Sequence, residues 1–313
     1  MSTTHQELLA DIATAYYLHN TSKVEIAKEH NISRFQVARY LDEALRDGIV
    51  TITVHRPWQS AIDAVALAAA LGVDAVDIAE ASPGSSAREA VAERAAATLM
   101  EVAQQGNTLG VSWSRTLNLM TQHLGRLPEC DVVQLAGDLR VGPDGGSGAL
   151  IHRLGAAAGG TTWPLPAPLI VESAELAESL RRQPEISGAQ AKADHLDVAM
   201  VAIGTWAHGG STVWTRLTEE ERERIAAAGA VAEVSGRLLT AEGAPLDAGL
   251  DGRVVSVTLD QLRHATTTIA VASGAANAEG VLAALRAGFT QRLVIDGELA
   301  AALAARVGVD ASR

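Results

Sequence analysis

Residues 21–41 read TSKVEIAKEHNISRFQVARYL and contain two helix-start signals. Ser22 stands three residues before Glu25, and Ser33 stands three residues before Gln36. This is the spacing of a capping box, in which the serine hydroxyl accepts a backbone N–H at the start of a helix and the later side chain accepts the N–H of the serine. The stretch therefore predicts two short helices, one beginning at each serine, with a polar turn between them.

The second of these predicted helices has polar and basic side chains near its start. Val37, Leu41 and Leu45 recur on one face, which leaves the arginines and Gln36 for the other side. Two helices joined by a tight turn, with such side chains early in the second, are the arrangement that reads the DNA major groove. The residues predicted to contact DNA are Ser22, Lys23, Ser33, Arg34, Phe35, Gln36, Arg39 and Tyr40.

Two other interpretations of this stretch remain open at the level of sequence. It could be a pair of packed helices without a ligand, or a module that binds another protein. Arg34, Gln36 and Arg39 favour DNA over both, because arginine and glutamine are residue types that contact bases and phosphates.

A further helix and a strand complete the predicted head. Residues 5–19 have the apolar spacing of an amphipathic helix. The second capped helix is expected to end at Gly48, and the run IVTITV at residues 49–54 predicts a strand that could form a wing. The sequence RPW at residues 56–58 interrupts this pattern. The predicted domains are a winged helix-turn-helix DNA-binding head at residues 1–57 and a second, larger domain at residues 58–313.

Composition narrows the class of protein. The 313 residues, 48% hydrophobic and 20% charged, suffice for a large core and for two domains. Cys130 is the single cysteine, which excludes an internal disulfide framework and a cysteine cluster for zinc, and no metal or cofactor is predicted. No signal peptide is evident, and no apolar run approaches the roughly 20 residues that span a bilayer. A cytoplasmic protein with no membrane contact is predicted.

The net charge of −12 argues at first against a nucleic-acid partner, because phosphate contacts dominate DNA affinity. The distribution of charge weakens this objection. Residues 1–57, with six basic and seven acidic residues, carry −1, whereas the remainder, with 19 basic and 30 acidic residues, carries −11. The acidic excess therefore lies outside the predicted head.

From residue 60 the chain alternates between predicted helices and strands, which indicates a mostly parallel sheet covered on both faces. Strands are predicted at residues 75–79, 108–111, 131–136, 195–203, 267–272 and 292–295, with further extended segments at 164–171, 231–234 and 254–259.

Ligands of such sheets bind at the carboxyl ends of the strands. The loop after Gly110 is the richest candidate, because its hydroxyls, its arginine and the backbone N–H groups of a helix start could together hold a phosphate. The predicted effector-binding residues are Gly110, Ser112, Ser114, Arg115, Thr116, Gly137, Asp138, Gly204, Glu233, Gly274, Asn277 and Asp296.

Several long motifs resemble those of the SorC-type (DeoR/SorC) sugar-responsive transcriptional regulators of bacteria. GVSWSRTL at residues 110–117 is similar to the GxGWGRTL signature of that family. The head and four further segments match in the family order, so the resemblance extends over nearly the whole chain. Those four segments are DVVQLAGDL at 131–139, LPAPLIV at 165–171, GAVAEVSGRLL at 229–239 and VASGAANAEGVLAALRAGFTQRLVIDGELAAAL at 271–303.

The resemblance implies a DNA-binding regulator with a Rossmann-like effector domain, related in fold to sugar-phosphate isomerases and glucosamine-phosphate deaminases but not an enzyme. It also implies a homo-oligomer, a tetramer, bound to double-stranded operator DNA and controlled by a small-molecule effector. In this pattern the loop 112–116 would meet a phosphate, and Asp138, Glu233, Asn277 and Asp296 would surround the sugar hydroxyls.

The chain departs from the family pattern at positions that bear on the effector. Ser112 and Ser114 replace glycines, Asn277 stands at a common lysine, and Asp138 stands at a usual glycine. These changes make an unphosphorylated sugar or polyol the alternative to a sugar phosphate, which Arg115 still favours. The alternative function is an isomerase- or deaminase-type enzyme with an appended DNA-binding head.

Overall fold

The computed structural model describes residues 3–19, 21–46, 49–50, 62–82, 84–139 and 147–309. The chain divides into two compact units, Met1–Gln59 and Ser60–Arg313. The predicted end of the head helix at Gly48, most of the predicted wing and the predicted boundary at residues 56–58 lie outside the described residues.

The described residues of the first unit form three helices, α1 (Thr3–Tyr17), α2 (Lys23–Glu29) and α3 (Arg34–Arg46). Their core is formed by buried apolar side chains from all three, among them Ile12, Ile26 and Val37, each fully buried. The helices predicted from residues 5–41 are therefore confirmed, with ends that differ by a few residues.

Both predicted capping boxes are present. Ser22 Oγ accepts the N–H of Glu25 at 3.3 Å, and the Ser22 N–H donates to Glu25 Oε2 at 3.0 Å. Ser33 Oγ likewise accepts the Gln36 N–H at 3.2 Å, while the Ser33 N–H donates to Gln36 Oε1 at 2.9 Å. Asn31, with φ of 52°, turns the chain between the two helices, as asparagine tolerates this conformation.

The second unit is built from ten helices and ten strands among its described residues. The helices are α4 (Ala64–Leu71), α5 (Ala87–Val102), α6 (Arg115–Met120), α7 (Ser147–Ala158), α8 (Ala174–Arg181), α9 (Pro184–Lys192), α10 (Glu219–Ala227), α11 (Leu259–His264), α12 (Ala278–Arg286) and α13 (Gly297–Val307). The strands are β1 (Ala75–Ala79), β2 (Thr108–Val111), β3 (Cys130–Gln134), β4 (Gly159–Trp163), β5 (Val198–Thr205), β6 (Ala232–Val234), β7 (Arg237–Leu239), β8 (Pro245–Leu246), β9 (Thr267–Ala272) and β10 (Arg292–Asp296).

Seven of the strands form a parallel sheet in the order β1-β10-β9-β5-β2-β3-β4. From β2 the chain proceeds outward through β3 to β4, and from β5 it proceeds to the other side through β9 and β10. The order therefore reverses between β2 and β5, as in a doubly wound sheet, and a crevice is expected at the carboxyl ends of these two strands. Strands β6, β7 and β8 form an antiparallel extension from the end of β5.

The sheet buries apolar side chains on both faces. Along β5, Val198 and Met200 pack with α5, α6 and α7, whereas Ala199, Val201 and Ile203 pack with α4, α12 and α13. Successive strand residues point to opposite faces, so a strand covered on both sides has to be apolar throughout. This explains why the run VAMVAI shows no polar alternation.

The extended segment predicted at residues 164–171 is not a strand of the sheet. The strand is β4, which ends at Trp163, and the following segment forms only single bridges, from Pro168 to Asp138 and from Ile170 to Val254. Its three prolines have no N–H to donate to a ladder, which accounts for the difference. The segment predicted at 254–259 likewise forms single bridges before α11 begins.

No helix formed by the described residues is both long and apolar enough to cross a membrane.

Candidate functional site: a cavity at the strand reversal

A cavity of about 440 Å³ opens at the carboxyl ends of β2 and β5, where the strand order reverses. This volume lies within the range of small-molecule sites. Its wall comes from the loops after β2, β3, β5, β6 and β9 and from the start of α5. Of the predicted effector-binding residues, the cavity is lined by Ser114, Arg115, Thr116, Gly137, Gly204, Glu233 and Asn277.

The loop after β2 supplies one side of the cavity. Ser114 caps α6 by accepting the Leu117 N–H at 3.0 Å, and the exposed Arg115 follows it. Gly110 and Ser112 do not line the cavity: Gly110 lies within β2, and the buried Ser112, directly after β2, donates its N–H to the Met200 carbonyl of β5 at 2.9 Å. A Cβ at Gly110 would lie 2.8 Å from a Leu135 methyl, which shows how closely the core packs there.

Glu233 is the one predicted carboxylate that reaches the cavity wall. It lies in the middle of β6, is buried, and accepts hydrogen bonds from Ser211 Oγ at 2.9 Å and the Gly236 N–H at 2.5 Å. The Gly236 bond forms because Ser235 and Gly236, both with positive φ, make a two-residue hairpin turn between β6 and β7. Burial raises the pKa of the Glu233 carboxyl, although both hydrogen bonds lower it. The side chain is therefore a buried acid with an increased tendency to keep its proton.

Two polar groups of the wall are buried without a partner among the described residues. They are the Ser235 hydroxyl and the indole N–H of Trp113. Ser235 is only 8% exposed, so its hydroxyl has little access to water. A buried polar group without a hydrogen bond costs about 1–3 kcal/mol, and a ligand with hydroxyl groups would supply the missing partners.

Asn277 is tied into the structure. Its Oδ1 accepts from Thr205 Oγ1 at 2.7 Å and from the Thr205 N–H at 3.2 Å, and its Nδ2 donates to the Ser273 carbonyl at 2.6 Å. The side chain thus joins the ends of β5 and β9 at the cavity wall. One amide hydrogen of Nδ2 stays available to a ligand.

Asp138, Asp296 and Gly274 lie outside the cavity wall. Asp138 Oδ1 accepts from the N–H and the hydroxyl of Ser147, at 3.0 and 2.9 Å, at the start of α7. Asp296 caps α13 through Oδ1, and its Oδ2 accepts the Gly274 N–H at 2.5 Å. Both carboxylates follow strands, as the sequence analysis expected, but they hold the backbone of these loops.

Arg88 lines the cavity and was not among the predicted residues. It lies in the first turn of α5 and is half-buried. Burial lowers the pKa of its guanidinium, and the positive charge of Arg115 lowers it further. The sequence carried no signal for this residue, because an arginine in the first turn of an alanine-rich helix is indistinguishable from a solvated one.

The residues predicted to contact DNA lie on the surface of the first unit or at its helix starts. Arg34, Phe35 and Arg39 are exposed, and the Arg34 guanidinium lies 4.9 Å from the centre of the Phe35 ring. Ser22, Ser33 and Gln36 form the capping boxes, so part of their hydrogen-bonding capacity is already used. The two remaining predicted contacts take part in cation–π pairs. Lys23 Nζ lies 5.2 Å from the centre of the Tyr16 ring, and the Arg39 guanidinium lies 5.6 Å from the centre of the Tyr40 ring.

The described part of the chain contains no cluster of three or more histidine, cysteine, aspartate or glutamate side chains suited to a metal ion. Cys130 is buried, and its thiol donates to the Gln104 carbonyl at 3.1 Å.

The sheet order and the cavity at its reversal define a doubly wound α/β domain with a cavity of the size of a small-molecule site. A family model described as "Putative sugar-binding domain" matches residues 59–305, and the chain belongs to this sugar-binding domain family.

Similar proteins of known name are regulators of transcription. The transcriptional regulator LsrR of Enterobacter sp. (strain 638) is 27% identical over 98% of this chain and 96% of its own length. The deoxyribonucleoside regulator of Bacillus subtilis is 26% identical over 95% of this chain and 97% of its own. The full-length sorbitol operon regulator SorC from Klebsiella pneumoniae shares the fold, with a TM-score of 0.70 and 20% identity over 96% of this chain and 99% of that one. The prediction of a SorC-type sugar-responsive transcriptional regulator, rather than an enzyme, is confirmed.

Proposed function

We propose that this protein binds operator DNA through its N-terminal unit and that a sugar derivative in the cavity of the second unit changes its affinity for that DNA. The observation that carries the proposal is the cavity wall. It combines a buried acid, two buried unpartnered polar groups and two arginines at the strand reversal. Uncharged hydrogen-bonding groups and two positive charges around one small cavity suit a ligand with many hydroxyls and one anionic substituent.

A sugar hydroxyl is at once a donor and an acceptor. The Ser235 hydroxyl and the Trp113 N–H can donate to it, and the Glu233 carboxyl oxygens can accept from it. Arg115 supports a phosphorylated sugar over a neutral sugar or polyol, because a guanidinium pairs well with phosphate. The predicted site residues that lie away from the cavity act in this proposal as supports for its loops.

In the first unit we assign the role of recognition helix to α3, within a helix-turn-helix. The exposed Arg34 and Arg39 near its start support this role, and Phe35 offers an apolar contact of the kind made with the methyl group of thymine. The phosphate backbone or neighbouring bases would be bound by the remaining predicted contacts, Ser22, Lys23, Ser33, Gln36 and Tyr40. The protein would act in the cytoplasm as a tetramer, as the family pattern of the sequence implies.

The proposal can be tested by fluorescence anisotropy with labelled DNA from upstream of the protein's own gene. The measurement would be made at one moderate salt concentration, because DNA affinity depends strongly on salt. A panel of sugars, polyols, their phosphates and their acids is then added. We expect tight binding that one class of compound alters, and we expect Arg115→Ala to lose this response. A DNA complex that no member of the panel alters would contradict the proposal.

A further inference from the structure

The cavity contains two arginines that come from distant parts of the sequence. Arg88 belongs to the first turn of α5, and Arg115 is the first residue of α6, after β2. Both line the same cavity, and their charges are close enough for Arg115 to affect the titration of Arg88. The fold thus brings two positive charges together at one small site.

Within the described ranges, neither of these guanidiniums has a carboxylate partner. Arg115 Nη2 donates one long hydrogen bond, to the Gly209 carbonyl at 3.3 Å. Other arginines of the same unit are neutralised. Pairs of this kind are Arg292 with Asp77 at 2.5 Å, Arg253 with Glu221 at 2.6 Å, and Arg237 with Asp251 at 2.7 Å.

Glu233, the buried acid of the cavity, does not neutralise the charges of Arg88 and Arg115. Glu233 already accepts hydrogen bonds from Ser211 and from the Gly236 N–H, and its burial favours the neutral form. Two like charges held together, one of them half-buried, raise the free energy of the empty site. A bound anion would remove that cost, so the site is more favourable when it holds one.

We propose that Arg88 and Arg115 together bind the anionic substituent of the effector and that Arg88 determines the preference for an anionic over a neutral sugar. This inference rests on the proposed function and names the ligand class of the same cavity. Two guanidiniums can present several N–H donors to one phosphate or carboxylate group. A phosphate monoester, with a charge of about −1.5 to −2 near pH 7, matches two positive charges better than a carboxylate. Asn277 adds no positive charge to this site, and its amide oxygen and one of its two amide hydrogens are already bound to Thr205 and Ser273.

The first experiment uses the full chain and inorganic phosphate as the probe. Its affinity is measured by ³¹P NMR or by the shift in Tm, with chloride at equal ionic strength as the reference. We expect Arg88→Gln to weaken phosphate binding roughly 10- to 150-fold, the range for lost hydrogen bonds to a charged group. Arg88→Lys keeps the positive charge but loses the planar guanidinium. Its affinity for phosphate should therefore lie between those of the wild type and Arg88→Gln.

The matched control is Arg182→Gln. Arg182 is an exposed arginine directly after α8 that pairs with Glu178 at 3.1 Å and does not line the cavity. Its loss should leave the affinity for phosphate as it is. Without phosphate, Arg88→Gln should have a Tm equal to or above that of the wild type, since it removes a repulsion. A merely structural arginine would give the opposite shift. Equal phosphate affinity in the wild type and in both Arg88 variants would overturn the proposal.

A second arm identifies the anion and separates this inference from the proposed function. Glucose, glucose 6-phosphate and gluconate are titrated into the wild type and Arg88→Gln by calorimetry, with further matched triads from other sugars. A loss confined to the phosphates, or to the acids, supports the arginine pair and shows which group it binds. Operator DNA that responds only to neutral sugars, equally in both proteins, would refute the arginine pair and leave the sugar-responsive function standing. No response to any compound would refute both.

Discussion

The head and the cavity both contain arginines without a carboxylate partner among the described residues, but in opposite surroundings. Arg34 and Arg39 are exposed on a helix of the first unit, each beside an aromatic ring. Arg88, half-buried, and Arg115, exposed at the rim, line a small cavity that also contains a buried acid and buried unpartnered donors. Exposed arginines suit a long, hydrated polyanion such as DNA, whereas a small cavity with two arginines suits one small anion. The same residue type therefore stands in two different surroundings, and the two proposed partners, DNA and a small anion, follow from the surroundings rather than from the residue type.

The two units have separate hydrophobic cores, so disrupting the smaller core should abolish the function of one unit and spare the other. Ile26 is fully buried between the helices of the head. Ile26→Ala should destabilise this unit by about 2–5 kcal/mol, since it removes buried methyl groups and leaves a cavity. We expect operator binding to be lost while calorimetry still detects ligand binding by the second unit. The core residue Leu303, buried in the second unit, provides the reciprocal control. Loss of ligand binding in Ile26→Ala would show that the units do not fold independently.

A smaller effect tests the exposed cations. Arg34→Ala should weaken specific operator binding by about 1–3 kcal/mol if Arg34 makes a bidentate contact with a base. Arg39→Ala should instead weaken binding to all sequences similarly and lower the salt dependence by about one charge, if Arg39 contacts phosphate. Anisotropy titrations with operator and with scrambled DNA, at several salt concentrations, distinguish the two roles. Ligand affinity should be the same in both variants, and a change in it would contradict the division of roles between the units.

The smallest effect concerns the buried acid of the cavity and appears only as a dependence of stability on pH. Burial raises the pKa of Glu233, so the folded protein keeps this proton to a higher pH than the unfolded chain. Its contribution to stability is fully present below the unfolded pKa and is lost as pH rises through the folded pKa. Glu233→Gln should therefore remove part of the decrease in stability above the ordinary glutamate pKa, measured by urea unfolding at a series of pH values.

Glu221 gives a control of opposite sign. Its hydrogen bond with Arg253 is the main cause that holds the pKa of its carboxyl below the usual value. The stability from this pair is present above the unfolded pKa and is lost as pH falls through the folded pKa. Glu221→Gln should flatten the acid side of the pH profile and leave the alkaline side as in the wild type. The same pH profile for both variants would contradict the assignment of a raised pKa to Glu233.

Much of the local structure was predictable from the sequence because its causes are local. The capping boxes at Ser22 and Ser33 depend on residues three apart, and both formed as expected. The bounds of β1 and β9 agree with the prediction, since short segments with β-branched residues, bounded by turn residues, indicate strands. Polar residues after each strand could be assigned to one edge of the sheet, because parallel strands share a direction.

The roles of those polar residues were less predictable. Asp138, Asp296 and Glu233 all lie in or shortly after strands, yet the first two cap or hold backbone and the third reaches the cavity wall. A side chain after a strand can either satisfy nearby N–H groups or face the ligand, and the choice depends on which backbone comes close. Gly137 illustrates this, because a Cβ there would lie 2.6 Å from the Ala167 carbonyl oxygen of a neighbouring segment.

The sequence by itself determined the two-part organisation, the α/β class of the second part and the family, since these follow from patterns within short stretches and from motifs in order. Only the tertiary structure brought Arg88, Arg115, Trp113 and Glu233, from four separate segments, to the wall of one cavity. The physical reason is that hydrophobic periodicity and helix capping act over a few residues. The desolvation of an acid, the repulsion of two guanidiniums and the isolation of a hydroxyl depend on segments that only the folded sheet brings together.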